Sequence, residues 1–443
     1  MIDRRKFTGM LAAAAAGALV PEMRPPRSSF IARRPAHTAP INAARLNAHL
    51  RELSAFGANP QGGVSRVAYS DFDRAGRAYV MDLMREAALR VSVDFAGNIF
   101  GRRAGGVPSL KPIVFGSHID SVPDGGNYDG TLGSLSAIEV AQSLAEQQTR
   151  TRHPLEVVVW ANEEGGLYGS RAVSGQLTTP ELANKAWSGK TIEEGIAFLG
   201  GTPSRIAEVR RQRGDIATYL ELHIEQGGNL ERESLNVGVV EGIVGIKQWE
   251  VTVTGFQNHA GTTPMDQRHD ALLSTARFID MVNRVVRSEP GRQVGTVGRV
   301  QAFPGAPNVI PGRAVCSLEL RDLDAAKVDR LFDAIGTEAR RIGESNGTTF
   351  EFRSLHENVP APSDPAVREM IDASAKALGY TTRHMPSGAG HDAQAMAQLG
   401  PMGMIFIPSI GGISHSPKEY STPEDCARGA MVLLGAVLLA DKR

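Results

Sequence analysis

Histidine and acidic residues that can bind divalent metals follow four separate apolar runs of this sequence. The run 112–115 leads to His118, and Asp129 comes shortly after that histidine. Imidazole nitrogens and carboxylate oxygens are metal ligands, and one carboxylate can bridge two ions. Because open α/β sheets bind ligands at the carboxyl ends of buried strands, the pattern predicts a site there. The four groups are His118 with Asp129, Glu163 with Glu164, His223, and His415.

The recurrence of these groups carries more weight than any single one. A lone buried histidine is usually a hydrogen-bonded core residue, whereas four metal-competent groups at predicted strand ends favour a metal site. A carboxylate shared by two cations holds them about 3.5–4 Å apart, and a water between them loses a proton near neutral pH. Asp120 is placed to orient the His118 ring.

Glu163 and Glu164 form an adjacent acidic pair directly after the apolar run 155–160. Successive side chains of an extended segment point to opposite sides, so one glutamate can bind a metal while its neighbour acts as general base. A solvated acidic turn is the other interpretation, and the apolar strand before the pair disfavours it. The pair therefore indicates hydrolytic chemistry on a metal-activated water.

Predicted strands and helices alternate along the part of the chain that carries these groups. Apolar runs predict a buried strand before each group, helical spacing predicts a helix at 131–148, and alternation predicts one strand over 91–100. This order indicates an α/β fold with a mixed, mostly parallel sheet covered by helices.

A change of pattern near Gly242 predicts a second domain inserted into the first. Strand and helix patterns over 243–356 follow the order β-α-β-β-α-β of a small ferredoxin-like α+β unit. Such a unit leaves one sheet face or an edge free to pair. We expect the metal-binding catalytic domain to comprise 41–242 and 357–443.

Composition excludes several function classes. The 443 residues contain 48 Lys+Arg and 48 Asp+Glu, so no excess charge attracts nucleic acid or an anionic membrane. The 2 cysteines, Cys316 and Cys426, cannot form a cysteine-rich zinc site. A metal must therefore be bound by histidine and carboxylate side chains.

The first 40 residues are typical of a targeting segment. Arg4 and Arg5 precede Phe7 and an alanine-rich apolar stretch at 10–20, which resembles a twin-arginine signal peptide. The stretch is too short to span a membrane, and 24–40 has the composition of a disordered linker. We expect export to the periplasm or secretion, and a cytoplasmic protein if the segment does not act as a signal.

Five motifs resemble those of a known family: GSHIDSV at 116–122, GGNYDG at 125–130, NEEG at 162–165, ELHIEQG at 221–227 and ISHSP at 413–417. They are similar to the amidase/hydantoinase/carbamoylase branch of the co-catalytic zinc peptidase superfamily. That branch holds N-carbamoyl-L-amino-acid hydrolases, allantoate and ureidoglycolate amidohydrolases, and β-ureidopropionases. The resemblance extends from residue 41 to nearly the end of the chain.

The resemblance implies two divalent ions in each subunit and an exopeptidase-like catalytic domain. Glu163 is the implied acid/base, and zinc, manganese and cobalt all suit the ligands. The implied ligands are His118, Asp129 and His223 for one ion, and Asp129, Glu164 and His415 for the other.

The same resemblance gives the inserted domain the role of a lid and a dimerisation domain. His259 is expected to polarise the scissile carbonyl, often from a partner subunit, and Arg321 to bind the substrate carboxylate. One departure is that the segment between Glu164 and Arg171, which borders the pocket, is shorter than is usual in the branch. The expected substrate contacts are Gln226, His259, Asn308, Arg321, Gly388 and Ala389.

These expectations define a hydrolase for the carbamoyl or ureido C–N bond of N-carbamoyl-L-amino acids or related ureido acids such as allantoate and ureidoglycolate. An aminopeptidase or dipeptidase of the same superfamily is the alternative. An exported, metal-dependent solute-binding protein is a further alternative, and it needs no adjacent glutamate pair. Dipeptide hydrolysis would identify the first alternative, and a single metal without product would identify the second.

Overall fold

The computed structural model describes residues 41–443. The predicted signal peptide and linker, residues 1–40, lie outside this part of the chain. The strands are β1 (Arg90–Val93), β2 (Ile99–Arg103), β3 (Ile113–His118), β4 (Leu155–Trp160), β5 (Thr218–Ile224), β6 (Val237–Ile243), β7 (Gly245–Thr254), β8 (Asn258–His259), β9 (Val294–Thr296), β10 (Val300–Phe303), β11 (Val309–Ile310), β12 (Arg313–Asp322), β13 (Thr349–Asn358), β14 (Ala361–Pro362), β15 (Thr382–Ser387) and β16 (Met402–Ile407).

The helices connect these strands, and most begin at a residue whose side chain caps the first turn. Ser70 caps α2 and Asp270 caps α7, because their oxygens accept backbone N–H groups that the helix leaves unpaired. The helices are α1 (Ala43–Ser54), α2 (Asp71–Glu86), α3 (Thr131–Glu146), α4 (Tyr168–Ser174), α5 (Ile192–Phe198), α6 (Asn229–Arg232), α7 (Ala271–Ser288), α8 (Ala325–Asn346), α9 (Pro365–Ala377), α10 (Asp392–Met396) and α11 (Pro423–Ala440).

The larger sheet has the strand order β1-β2-β4-β3-β5-β16-β6-β14, with β15 also paired to β6. Its central strands β4, β3, β5 and β16 are parallel, whereas β1–β2, β2–β4 and β16–β6 are antiparallel. These four central strands are buried along their whole length, because helices pack on both faces. The prediction of a mixed α/β sheet covered by helices is confirmed.

Two cores lie on opposite faces of this sheet. On one face, Ile138 of α3 and Leu433 of α11 share a core with Phe115. On the other, Val173 of α4 and Met396 of α10 pack in a core with Trp160. Because helices cover both faces, the sheet is fixed in place, and the carboxyl ends of the parallel strands β3, β4 and β5 lie together at one end of it.

A second, antiparallel sheet is formed by the segment between β6 and β14. Its order is β10-β12-β7-β13, with β9 also paired to β12. Helices α7 and α8 cover one face, and their core includes Phe278, Leu331 and Trp249. Buried and more exposed residues alternate along β12, as expected for a strand with one covered face.

The structure differs from the sequence predictions in several strands. The predicted strand over 91–100 is wrong, because β1 and β2 form an antiparallel hairpin instead. The Asp94 carboxylate accepts the N–H groups of Ala96 and Asn98 and so closes the turn. Strands β6 and β15 were not predicted, and they pair with each other in parallel. Among the described residues, no helix has the length and apolar content to cross a membrane.

Candidate metal centre and active-site cavity

His118 ends β3 and points one ring nitrogen toward Asp129. Its Nδ1 lies 2.9 Å from the backbone oxygen of Asp120, and a carbonyl oxygen only accepts, so Nδ1 carries the proton. In the neutral ring Nε2 is then the nitrogen with the lone pair, and it lies 3.4 Å from Asp129 Oδ1. This nitrogen is buried and makes no hydrogen bond within the described residues, which suits a metal ligand.

His223 is the penultimate residue of the neighbouring strand β5, and a backbone carbonyl orients its ring as one does for His118. Its Nδ1 lies 2.9 Å from the Ile224 carbonyl oxygen, and its Nε2 lies 3.1 Å from Asp129 Oδ1. Gly130 has a φ of 62°, and a Cβ there would collide with the His118 ring. Glycine at this position therefore allows the Asp129 loop to approach both histidines. The potential ligand atoms of His118, Asp129 and His223 all lie within 4.8 Å of one another.

A second donor group shares Asp129. His415 Nε2 lies 3.3 Å from Asp129 Oδ2 and 3.4 Å from Glu164 Oε2. Asp129, Glu164 and His415 also place one potential ligand atom each within 4.8 Å of the others. Since Oδ1 faces the first group and Oδ2 faces the second, Asp129 stands between the two. One group offers two nitrogens and one oxygen, and the other offers one nitrogen and two oxygens, which suits zinc, manganese or cobalt.

Glu163 lies beside both groups. Its Oε2 is 3.6 Å from His118 Nε2, and it lines the cavity described below. The Asp120 carboxylate accepts the backbone N–H groups of Glu163 and Glu164, at 3.2 Å each. Asp120 thus contacts His118 through its carbonyl and fixes the acidic pair through its side chain.

The electrostatics of the centre reflect crowded, buried carboxylates. Burial raises the pKa of Glu163 well above its ordinary value, and burial with the nearby Asp129 charge raises the pKa of Glu164 to about 8. Although burial opposes ionisation of Asp129, the surrounding histidines His223, His118 and His415 hold its pKa well below the usual range. The hydrogen bond to Asp129 raises the pKa of His415 to about 9. Divalent cations would offset this concentration of negative charge.

A cavity of about 770 Å³ opens over the two donor groups. Gln226 and Ala389 line it, as does His391, whose ring centre lies 4.5 Å from that of His223. The lining also includes Tyr168 and Arg171 of α4. The volume suits a small molecule rather than a long polymer.

Comparison with known proteins decides the family. A model of peptidase family M20/M25/M40 matches residues 114–439. The chain belongs to this family. N-carbamoyl-L-amino acid amidohydrolase of Geobacillus stearothermophilus is 40% identical over 402 residues, covering 90% of this chain and 98% of the relative. Ureidoglycolate hydrolase of Arabidopsis thaliana is 36% identical over 406 residues, covering 89% and 85%. A crystal structure of a hydantoinase/carbamoylase family amidase from Burkholderia multivorans superposes with a TM-score of 0.86 at 38% identity, covering 92% and 100%.

In this family member, several expected substrate residues lie away from the cavity. β8 pairs with β11, where His259 faces Val309, and Ala260 donates a hydrogen bond to the Asn308 carbonyl. His259 on β8 and Asn308, directly before β11, are therefore exposed neighbours, and neither lines the cavity.

Arg321 of β12 lies at the border between the two sheets. Its guanidinium donates to the Gly388 carbonyl at 2.6 Å and pairs with Glu319 at 2.7 Å. Neither Arg321 nor Gly388 lines the cavity, but the next residue, Ala389, does. The arginine is thus held at the rim.

The shortened segment after Glu164 borders the cavity, as expected. Gly165, Gly166 and Leu167 line it and lead directly into α4. Arg171 forms a 2.7 Å ion pair with Glu181, and both side chains face the same cavity. This part of the lining therefore carries charged groups that are paired with each other.

Two buried carboxylates near the centre escaped the sequence analysis. Asp392 accepts a hydrogen bond from Ser170 at 2.5 Å, and so joins α10 to α4. Glu419 accepts the Asp129 N–H at 3.0 Å. Asp392 directly follows His391, and Glu419 comes shortly after His415 of the ISHSP motif; this closeness to a histidine was the one signal in the sequence.

Proposed function

We propose that this chain is a metal-dependent amidohydrolase for the carbamoyl or ureido C–N bond of N-carbamoyl-L-amino acids or related ureido acids. The observation that carries the proposal is the position of Asp129 between two donor groups, with Glu163 beside them in a small-molecule cavity. Full-length relatives named for N-carbamoyl amino acid and ureidoglycolate hydrolysis support the substrate class.

His118 and His223 would hold one divalent ion, Glu164 and His415 a second, and Asp129 both. Zinc, manganese and cobalt are the candidates. When bound, such ions lower the pKa of a coordinated water and polarise a carbonyl oxygen. The buried Nε2 of His118, without a hydrogen bond from the described residues, supports this assignment.

Glu163 is the proposed acid/base. Because its pKa is raised, its carboxyl group can take a proton from the attacking water and return it to the leaving nitrogen. The Asp120 carboxylate accepts the backbone N–H groups of Glu163 and Glu164, so Glu163 stays close to the donor groups. Gln226 and Ala389 would contact the bound substrate from the cavity wall.

The remaining substrate contacts are proposed to come from outside the cavity. Arg321 contacts Gly388, the residue before Ala389 of the cavity lining. Its planar guanidinium can turn from the Gly388 carbonyl to a substrate carboxylate. His259 and Asn308 are proposed to complete the site from a partner copy in a homodimer, where His259 polarises the scissile carbonyl. Neither residue lines the cavity of its own chain, which supports this assignment.

A substrate panel tests the proposed function. Metal-free enzyme is reloaded with zinc, manganese or cobalt and assayed with N-carbamoyl-L-amino acids, allantoate, ureidoglycolate and dipeptides. We expect ammonia from the ureido compounds and no cleavage of the dipeptides. Dipeptide cleavage without ammonia release would instead assign a peptidase, the alternative that the amidohydrolase relatives disfavour.

The predicted twin-arginine segment supports export of the folded protein to the periplasm. Replacing Arg4→Lys together with Arg5→Lys should retain the protein in the cytoplasm, because paired arginines define this signal. Fractionation of cells that express the two forms measures the effect. If the wild type and the doubly substituted form were distributed equally between the cell fractions, a cytoplasmic protein would be favoured.

A further inference from the structure

Glu419 connects the two chain segments that bring Asp129 and His415 together. Its carboxylate is buried, with 3% of the residue exposed. Oε1 accepts the backbone N–H groups of Tyr128 and Asp129, at 2.9 and 3.0 Å. Oε2 accepts the hydroxyl of Ser414, the residue before His415, at 2.8 Å. One side chain thus fixes two segments that are 290 residues apart.

Ser414 extends this connection to the Asp129 side chain. Its Oγ lies 3.2 Å from Asp129 Oδ2, the oxygen that faces His415. The Glu419 carboxylate therefore acts on Asp129 in two ways. It holds the backbone N–H directly, and it holds the hydroxyl that contacts the carboxylate.

Gly126 provides the space that Glu419 occupies. A Cβ at Gly126 would collide with both the carboxyl group and the Cβ of Glu419. The backbone at Gly126 does not have a positive φ, so the glycine is required by space rather than by conformation. Gly126 of the GGNYDG motif is thus explained by the side chain of Glu419, which is far from it in the sequence.

The second donor group depends on this support more than the first. His118 and His223 are 1% exposed, and each ring is oriented by a backbone carbonyl. The His415 side chain is 52% exposed, and its backbone has a φ of 52°, which is unfavourable for a residue with a side chain. Contacts outside the histidine must therefore hold its loop.

We propose that Glu419 is a positioning residue that preorganises the second metal site by fixing Asp129 and the turn that carries His415. This inference rests on the two-metal function proposed above. Since Glu419 acts through hydrogen bonds, its removal should weaken the ion held by Asp129, Glu164 and His415 more than the ion held by His118 and His223.

Zinc titration of metal-free protein in competition with a chromophoric chelator tests this role. We expect two ions for the wild type. Glu419→Ala should weaken the second ion by roughly 10–100-fold, the range for residues that orient metal ligands, and the first ion less. Gly126→Ala should reproduce this pattern, because the added methyl group displaces the same carboxylate. Glu419→Gln should lose less, because its amide oxygen can still accept both N–H groups.

Glu139→Ala is the matched control. Glu139 is also a buried carboxylate that accepts a backbone N–H, but its partners are Asn42, Arg45 and Ser143. It should lower thermal stability and leave both zinc affinities unchanged. The proposed role of Glu419 would be wrong if both Glu419→Ala and Gly126→Ala kept wild-type zinc affinities, or if Glu139→Ala lost as much affinity as they do. The two-metal function would still stand after either result. A single zinc ion in the wild type would overturn the two-metal function and this inference with it.

Discussion

The two regions that are proposed to act on the substrate are built in opposite ways. At the edge of the larger sheet, His118, Asp129 and His223 are buried. Backbone carbonyls hold the two histidine rings, and the Glu419 carboxylate holds the backbone N–H of Asp129. His259 on β8 and Asn308, directly before β11, are exposed, and neither lines the cavity.

This difference shows which functions need a site that is already formed before the metal or the substrate binds. Metal ligands must be held close together before an ion binds, because like charges repel and each ligand loses water. A residue that polarises the substrate need only arrive when the substrate is bound, so it can come from a moving lid or another subunit. The buried region therefore has its donor groups within one chain, whereas the exposed region is proposed to act from a partner copy.

The largest expected effect is at Glu163, in the buried region. Glu163→Gln keeps the shape of the side chain and removes its ability to accept a proton, so kcat should fall by about 10²–10⁴-fold. Metal analysis should still find the wild-type metal content, because Glu163 belongs to neither donor group. Near wild-type turnover would remove Glu163 as the base.

His259→Ala tests the exposed region. Loss of a group that stabilises the oxyanion should lower kcat by about 10²–10³-fold and leave metal content unchanged. Mixing Glu163→Gln chains with His259→Ala chains then separates the two arrangements. If His259 acts across subunits, mixed dimers regain one intact site and measurable activity. Failure of mixed dimers to recover any activity would place His259 in the site of its own chain.

Arg321 lies between the two regions, and a smaller effect is expected there. Arg321→Lys keeps the charge but loses the two parallel hydrogen bonds to a carboxylate, so KM should rise by roughly 10-fold. The effect on kcat should be smaller, because the arginine is distant from the scissile bond in this proposal. Amidated substrates, which lack the carboxylate, should show no difference between the variant and the wild type. A matching loss on amidated substrates would argue against carboxylate binding.

The last expected effect is on metal affinity rather than on turnover, and it is a dependence on pH. The pKa of Glu164 is raised to about 8 by burial and Asp129, and that of His415 to about 9 by its hydrogen bond to Asp129. Below these values a metal must displace protons, so the second ion should bind more tightly as pH rises from about 6 to about 8, by up to about tenfold per pH unit for each proton released. Calorimetry in buffers of different ionisation enthalpy measures the protons released. An affinity independent of pH would contradict these raised pKa values.

Much of the fold was predictable because its signals are local. Apolar runs of strand length, most of them followed by a helical pattern, predicted the central strands and their cover of helices. Strands β6 and β15 were missed because glycines, histidine and proline interrupt their apolar pattern. The strand over 91–100 was predicted as continuous because alternation alone does not show that Asp94 closes a turn.

The sequence alone determined which residue types stand at the strand ends, since strand periodicity and metal-ligand chemistry are both readable over a few residues. Only the tertiary structure decided that Asp129 turns one oxygen to His118 and His223 and the other to His415. It also decided that Glu419 fills the space above Gly126 and that His259 lies outside the cavity. Contacts between residues that are hundreds of positions apart depend on how the elements pack, and packing leaves no pattern within either segment.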